Sequence, residues 1–567
     1  MGRKKSLSTA LAALLLAAAL SSCACAAGCA CMGGEGAGIS PAPYATAAPK
    51  GLAALAAAPS RSDLNTGFSP SDTHILLNGD SVSVKGPGAR IDGAVVTIEA
   101  GGTYVVSGTL FNGQIAVAAD KNAKVHLVLN GASITNKTGA AVYASQCDKL
   151  VVTLASGTEN ALTDGGADYT YFIKAEEEPN AALFCKDDLT INGEGKLAVT
   201  AGFKNGVATK DDLLIVGGDI SVNAADHALY GKDSMAVLGG TLRLAAGGDG
   251  IKTNTADDPA LGWVLLSGGD IAIEAARDGV QADTALEITG GDVTVRAGGG
   301  ADEAVSDEAA FKGLKSGGSL SITGGSVAVE SSDDCLHASG DMLLAGGSST
   351  LSSAKKAASC GGTLYVSGGG IKVKRSAEGL EGASVEIGGG NLEIASGDDA
   401  INAAGGVSEG GEALPCHVKI SGGDIRFLAG GDGVDSNGDI FLSGGALYGF
   451  IASTPDNGAI DCDGAFTVSG GVLVCGGTGA GKTPAGSPAQ SYVHFAGTLA
   501  SGVEVKVQTN GAAVCAVTLP VECAYLLISA PGIEAGGRYE LYAGTTLLGK
   551  VAAGAAGEFL GGEGKKN

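Results

Sequence analysis

The stretch Val264-Leu265-Leu266-Ser267-Gly268-Gly269-Asp270-Ile271-Ala272-Ile273 decides the fold. Apolar residues alternate on both sides of a Gly-Gly pair, which is the period of two expected of half-buried strands meeting at a tight corner. Glycine suits that corner because it accepts positive φ and close backbone approach. The pattern recurs upstream as Leu213-Leu214-Ile215-Val216-Gly217-Gly218-Asp219-Ile220-Ser221-Val222 and as Met235-Ala236-Val237-Leu238-Gly239-Gly240-Thr241-Leu242-Arg243-Leu244. It follows downstream as Leu286-Glu287-Ile288-Thr289-Gly290-Gly291-Asp292-Val293-Thr294-Val295, with later copies centred on Gly324-Gly325, Gly346-Gly347, Gly368-Gly369, Gly388-Gly389, Gly422-Gly423, Gly444-Gly445 and Gly470-Gly471. Successive pairs are mostly 20–22 residues apart, with longer gaps where loops intrude before Trp263, Gly317 and His417. Self-similarity at that period means stacked coils, each too small to fold alone. A third short strand is expected at Gly250-Ile251, Gly279-Val280 and Gly433-Val434, and a propeller, with blades of ~40 residues, fits poorly. The expected fold is therefore all-β: a right-handed parallel β-helix of roughly 20–22 residues per coil, with a small C-terminal β module.

Working outward, Ile75 to about Gly166 alternates less regularly (Ala94-Val95-Val96-Thr97-Ile98, Val125-His126-Leu127-Val128-Leu129) and reads as irregular first coils or a cap. Val503-Glu504-Val505-Lys506-Val507 and Tyr539-Glu540-Leu541-Tyr542 belong to the separate C-terminal module, which closes an otherwise open sheet edge. Before the coils, residues 23–70 are rich in Ala, Pro, Ser and Gly and read as a linker. Earlier still, Arg3, Lys4 and Lys5 precede an apolar run from Leu11 to Leu20 that is too short to span a bilayer, the form of a signal peptide over residues 1–22. Leu20-Ser21-Ser22-Cys23 resembles a lipobox, which would make Cys23 the lipid-bearing residue; the alternative is that Cys23 is one of a cluster with Cys25, Cys29 and Cys31. Either reading makes the protein exported, with the lipid-anchored form on the outer face of the cell membrane.

Composition agrees. Of 567 residues 96 are Gly and only 4% are aromatic, too few for several ordinary cores but enough for coils that bury small and β-branched side chains. A hydrophobic fraction of 45% excludes general disorder, and a net charge of −24 excludes nucleic acid as a partner, since phosphate neutralisation needs surplus Lys and Arg. The acidic surplus points to solubility, to bound cations, or to both. The later cysteines show no zinc spacing; most read as small buried residues, while Cys515 and Cys523 either cross-link neighbouring strands or stay as thiols.

In a solenoid one repeat position becomes a surface column. The turn after the second strand carries Asp226, Asp249, Asp278, Asp334, Glu378, Asp399 and Asp432, with Asn205 and Asn457 in other coils and Lys312 and Lys356 interrupting. Three or four residues on come Glu381, Asn402, Asp435 and Asp461, against Lys252, Gln281, Lys315 and His337 in earlier coils. Carboxylates stacked about every 5 Å repel unless cations or water intervene, and such oxygen ligands suit Ca²⁺. Each Asp alone also reads as an ordinary turn former. Asp399, Asn402, Asp432, Asp435 and Asp461 make one candidate metal or glycan column. A tighter candidate lies upstream, where Lys186-Asp187-Asp188, Lys210-Asp211-Asp212 and Lys232-Asp233-Ser234 repeat at one corner, so that Asp187, Asp188, Asp211, Asp212 and Asp233, with Asp249, are expected metal ligands. The competing reading is a surface corner neutralised by its own lysines. Glu176-Glu177-Glu178-Pro179-Asn180 could add to it.

Gly476-Gly477-Thr478-Gly479-Ala480-Gly481-Lys482-Thr483 matches a phosphate-loop pattern, but Pro484 follows at once where a helix must start, so no nucleotide is expected. No GxSxG, HExxH or Cys-His constellation supports hydrolysis.

The repeat, the Lys-Asp-Asp corners, Glu178 to Ala182, Leu76-Leu77-Asn78-Gly79-Asp80, Gly102-Thr103-Tyr104-Val105-Val106-Ser107-Gly108 and Asp432-Gly433-Val434-Asp435-Ser436-Asn437-Gly438 together resemble the clostridial carbohydrate-binding β-helix family, over roughly Ile75 to Gly549. The resemblance implies binding of cellulose or acidic, pectin-like polysaccharide and bound calcium. That family is similar in fold to polysaccharide lyases, which implies calcium at Asp187, Asp188, Asp211 and Asp212 and places Lys252 where a base could be proposed. Lys355-Lys356 and Asp226-His227 depart from the family's repeats. The expected order is a carbohydrate-binding β-helix over 71–480, a linker over 481–490, the β module over 491–550 and a tail over 551–567. The leading functional expectation is a non-catalytic, calcium-dependent polysaccharide-binding surface lipoprotein, touching the membrane only through its lipid. The alternatives are a calcium-dependent pectate-lyase-like enzyme and a structural adhesin for protein or mucin. The scarcity of aromatic rings favours acidic glycans over crystalline cellulose.

Overall fold

The computed structural model describes residues 59–302, 311–407, 411–452, 457–478, 482–486, 490–554 and 560–561. Cys23, the signal segment and most of the linker lie outside them, as do Gly479–Gly481 of the phosphate-loop pattern. Among the described residues there is no α-helix, and no helix is long and apolar enough to cross a membrane. Long sheets of parallel strands dominate, the organisation of a β-solenoid. Two compact units divide the described chain: residues 59–341 with 345–359, and residues 342–344 with those from 360 onward.

In the first unit each coil follows the repeat. Trp263–Leu266, Asp270–Ala275 and Val280–Ala282 pair in parallel with Ala285–Ile288, Asp292–Ala297 and Leu314–Ser316 of the next coil, Ile271 facing Val293 and Val280 facing Leu314. The alternation puts Ile271, Ile273 and Ala275 inside and Asp270 and Glu274 outside. Ile220, Leu242, Ile271, Val293 and Val327 then stack in register in the interior, all essentially buried. Burying each such side chain is worth about 1.5–3 kcal/mol, and only stacking achieves it. The corner glycine is obligatory: Gly269 sits at φ +94°, and a Cβ there would lie 2.8 Å from the carbonyl oxygen of Gly240 in the coil before. Two antiparallel hairpins, Thr73–Gly79 with Ser81–Lys85 and Ala89–Asp92 with Val95–Ile98, begin the unit.

Residues 59–69, the end of the stretch that reads as linker, are seated on this unit. Buried Asp63 accepts from Thr190 Oγ1 (2.7 Å), Lys149 Nζ (3.1 Å) and the Ser60 N–H (2.7 Å), while Asn192 Nδ2 donates to the Asp63 carbonyl (2.8 Å). Burial pushes the Asp63 carboxyl up, but these hydrogen bonds outweigh it and hold it at about 2. A carboxyl so depressed stabilises the fold above its unfolded value near 3.8, and that contribution is lost as pH falls through about 2. Asp63→Ala is expected to cost about 2 kcal/mol at neutral pH, with the penalty shrinking in strong acid. Hydrogen exchange at residues 60–66, faster at pH 7 in the variant, checks it; unchanged protection would contradict the network's role.

The second unit carries the later coils, for example Asp424–Ala429 paired with Ala446–Ile451 and then Val472–Gly477. The parallel stacking ends where Cys523–Ser529 lies antiparallel on Val472–Gly477 and takes Tyr492–Leu499 on its other side. A four-stranded antiparallel sheet follows, ordered Ala512–Thr518, Glu504–Thr509, Arg538–Ala543, Thr546–Ala552, and packs through Val505, Val507, Val517 and Leu541. None of the described cysteines is in a disulfide. Cys515 stands opposite Val507 in the four-stranded sheet whereas Cys523 stands opposite Leu499 in the other, so the two stay as thiols, and burial pushes that of Cys523 up to about 12.

Candidate functional site

The Asp-Gly turns explain the acidic columns. In Asp249-Gly250-Ile251 a Cβ on Gly250 would fall 2.2 Å from Ile273 Cγ2, so only glycine follows the aspartate. The aspartate then uses one carboxylate oxygen as a coil-to-coil tie. Asp249 Oδ1 accepts the Asp278 N–H (3.1 Å), and Asp278 Oδ1 accepts that of Lys312 (2.7 Å). In the second unit Asp399 Oδ1 accepts the Asp432 N–H (2.8 Å), and Asp432 Oδ1 accepts that of Gly458 (2.6 Å). The turn-forming role of these residues is thus real, and it leaves a second oxygen on each.

What meets that second oxygen differs between the units. In the first, a side-chain cation does. Lys252 Nζ lies 2.9 Å from Asp249 Oδ2, and Lys315 Nζ lies 2.9 Å from Asp278 Oδ2. Lys312 bridges Asp333 (2.9 Å) and Asp334 (3.1 Å), with His337 3.3 Å and Ser359 Oγ 2.7 Å from Asp334. Burial raises the Asp334 carboxyl, but these partners outweigh it and hold it well below the carboxylate range. Lys252 also donates to Gln281 Oε1 (3.2 Å), so the residue that could be proposed as a base is engaged as a donor within the column.

In the second unit the arrangement is different. Asn402 stands in register beside Asp435, and Val434 bridges Ile460, which brings Asp461 alongside. Carboxylate oxygens of Asp432, Asp435 and Asp461 all lie within 4.8 Å of one another, the one such group of three or more His, Cys, Asp or Glu among the described residues. Among the described residues none of Asp399, Asp432, Asp435 and Asp461 has an ion-pair partner, and the buried Asn402 Oδ1 accepts no hydrogen bond. Burial raises the carboxyls of Asp432 and Asp435; the charges of Asp461 and Asp398 add to it at Asp432, and those of Asp432 and Asp461 at Asp435. Asp399 is pushed up to about 7 by burial, with further like charge from Asp398, Asp435 and Asp432. A pair of charges at such separations repels by on the order of 3 kcal/mol near a protein surface. Hard carboxylate and amide oxygens converging without a cation of the chain's own fit Ca²⁺.

The upstream corner is not gathered in that way. Asp187 accepts the Cys147 N–H (3.0 Å), Asp188 pairs with Lys149 (3.4 Å), Asp212 accepts from Ser234, and Asp233 meets Lys232 (3.3 Å) and Thr255 (2.9 Å). Glu176, Glu177 and Glu178 are taken by Lys186, Lys204 and Lys210. Only Asp211 keeps a strong upward shift, to about 6, from burial and then the charges of Asp233, Asp188, Asp187 and Asp212. Asp249 belongs to the Lys252 column, away from this corner.

The described coils thus form a repeated parallel-β scaffold that carries one acidic column without a cation of its own among the described residues. A family model described as carbohydrate-binding domain-containing protein matches residues 92–357 and 351–473, and the chain belongs to that family. A carbohydrate-binding domain-containing protein of Acetivibrio thermocellus is 38% identical over 162 residues, 28% of this chain and 56% of that protein, so the chain matches only about half of that relative's length. A solved structure of a polysaccharide lyase-like protein from C. thermocellum, a gadolinium derivative, is 28% identical and covers 52% of this chain and 96% of its own, with a TM-score of 0.37.

Proposed function

We propose that the protein is a non-catalytic, calcium-dependent binder of acidic, pectin-like polysaccharide, exported and held at the cell surface through lipid on Cys23, with its coils wound as a right-handed parallel β-helix. Membership of a carbohydrate-binding family supports a glycan partner. The observation that carries the calcium and the acidic glycan is the convergence of Asp432, Asp435 and Asp461 within 4.8 Å, with no neutralising side chain among the described residues. Asp399 and Asn402 extend the same column. The upstream Asp187, Asp188, Asp211, Asp212 and Asp233 rank second because lysines and backbone donors meet most of them. When bound, calcium supplies positive charge that uronate carboxylates recognise. The chain's residues hold these oxygens in place, Asn402 in register beside Asp435 of the next coil.

The test is retention on immobilised polygalacturonate. The full chain is expected to be retained with calcium and released by EGTA, and Asp435→Asn is expected to be retained poorly in either buffer. Retention that ignores chelator would contradict the calcium role, and rising ultraviolet absorbance from an unsaturated uronate product would contradict the non-catalytic one.

A further inference from the structure

We propose a second glycan subsite, specific for an uncharged sugar face, on the aromatic loop between Gly166 and Pro179. It rests on the carbohydrate-binding reading but not on calcium. Aromatic residues are only 4% of the chain, yet this loop and the strands beneath it gather several. Phe172 is 67% exposed and stacks one face on the buried Tyr143, with ring centroids 5.5 Å apart and planes at 19°. Beside it Tyr169 stacks on Phe203 at 4.3 Å, and Tyr171 meets Phe203 edge-on at 5.5 Å. Tyr169 is tied down by its hydroxyl, which donates to the Ala181 carbonyl (3.1 Å), and Lys204 lies 5.6 Å from the Tyr171 ring centre while pairing with Glu177 at 2.7 Å. The rings are therefore held before any ligand arrives, which lowers the ordering cost of binding.

A cavity of ≈ 530 Å³ opens at these rings. Tyr171 and Phe172 line it together with Asn112, Gln114, Asn136 and Thr138. Rings together with amide and hydroxyl groups in one cavity are what a sugar ring needs: its C–H face lies on the aromatic π-cloud while its hydroxyls exchange hydrogen bonds. Gln114 and Asn136 are pinned by the Ala140 carbonyl, each through its amide nitrogen at 2.8 Å. Asn112 spends its Oδ1 on the Lys137 N–H (3.0 Å), and its Nδ2 makes no hydrogen bond among the described residues. No charged side chain among the described residues lines the cavity, and Glu177 and Glu176 of the loop are paired with Lys204 and Lys186, so the subsite offers no acidic cluster of the kind found at Asp432. That balance selects a neutral glycan segment over a uronate.

The experiment is calorimetry of the full chain with cello-, xylo- and manno-hexaose in excess EGTA. At least one hexaose is expected to bind without calcium, and Phe172→Ala to weaken it about tenfold, the size of one lost aromatic contact. Phe172→Trp is expected to retain binding, and Asp435→Asn to leave it unchanged. Because Phe172 is exposed, Phe172→Ala should unfold at the wild-type temperature; Tyr171→Ala provides a second variant. Absence of hexaose binding, with calcium-dependent retention on polygalacturonate intact, overturns this subsite alone; loss of both overturns the glycan-binding reading itself. Wild-type affinity in Phe172→Ala overturns it too, as does a Phe172→Ala effect confined to self-association in sedimentation, which would make the patch a contact between copies.

Discussion

Asp435→Lys is expected to raise the unfolding temperature of the metal-free chain and to abolish its response to calcium. The reasoning starts from the first unit, where Lys252 follows Asp249 by three residues and reaches its carboxylate at 2.9 Å. Asp435 follows Asp432 by the same three residues, so a lysine there imports the first unit's solution into the second. The substitution removes one of three carboxylates within 4.8 Å of each other and adds a cation in their midst. Relief of repulsion stabilises the metal-free state. Calcium at about 100 times its dissociation constant stabilises a native site by about 2.7 kcal/mol, which for a unit of this size corresponds to about 5–10 °C. That rise is expected in the wild-type chain, to be reduced in Asp461→Asn, and to vanish in Asp435→Lys. Calorimetric scans with calcium and with EGTA measure all of it. An undiminished calcium response in Asp435→Lys would place the ion elsewhere, with the Asp211 corner next to be tested.

Lys312→Met is expected to destabilise the first unit strongly. Lys312 lies between Asp333 and Asp334, both buried, at 2.9 and 3.1 Å. Removing it leaves the two carboxylates, among the described residues, with Lys355, 3.4 Å from Asp333, and with His337 and the Ser359 hydroxyl at Asp334. Breaking one side of a buried pair costs about 3–5 kcal/mol, because the partner's desolvation is no longer offset. The pH dependence has a definite sign. Asp334 is held below its ordinary value in the folded protein, so its contribution is present above the unfolded pKa and is lost as pH falls through the folded one. The deficit of Lys312→Met should therefore be largest near neutrality and narrow in acid. Urea unfolding at pH 7 and at about pH 2, below the unfolded value of 3.8, checks this; a deficit independent of pH over that range would mean the lysine acts through packing of its stem alone.

Much of the architecture was legible in the chain itself. Gly-Gly pairs 20–22 residues apart report coil length because a corner at positive φ, pressed against the coil before, admits nothing larger, as Gly269 shows. Alternation around them reports which side chains turn inward, since a strand's two faces differ by one residue. The Asp-Gly turns were equally plain, and so was the acidic column they build. Of the candidate ligands, Asp432, Asp435 and Asp461 converge, whereas the Lys-Asp-Asp corners, more conspicuous in sequence, are largely occupied by partners of their own.

Those partners were the unreadable part. Lys315 neutralises Asp278, 37 residues earlier, and Lys312 reaches 22 residues ahead to Asp334, so nothing local tells which carboxylate a given lysine serves. The same holds for the aromatic rings: Tyr143, Phe172 and Phe203 are scattered along the sequence and meet because coils stack and a loop folds back over them. By itself the sequence determined the repeat, the inward faces and the turn chemistry, each of which is settled within a coil by short-range sterics and hydrophobic period. Only the tertiary structure decided which acids keep a cation of their own and where the few rings gather, because both depend on distances between coils.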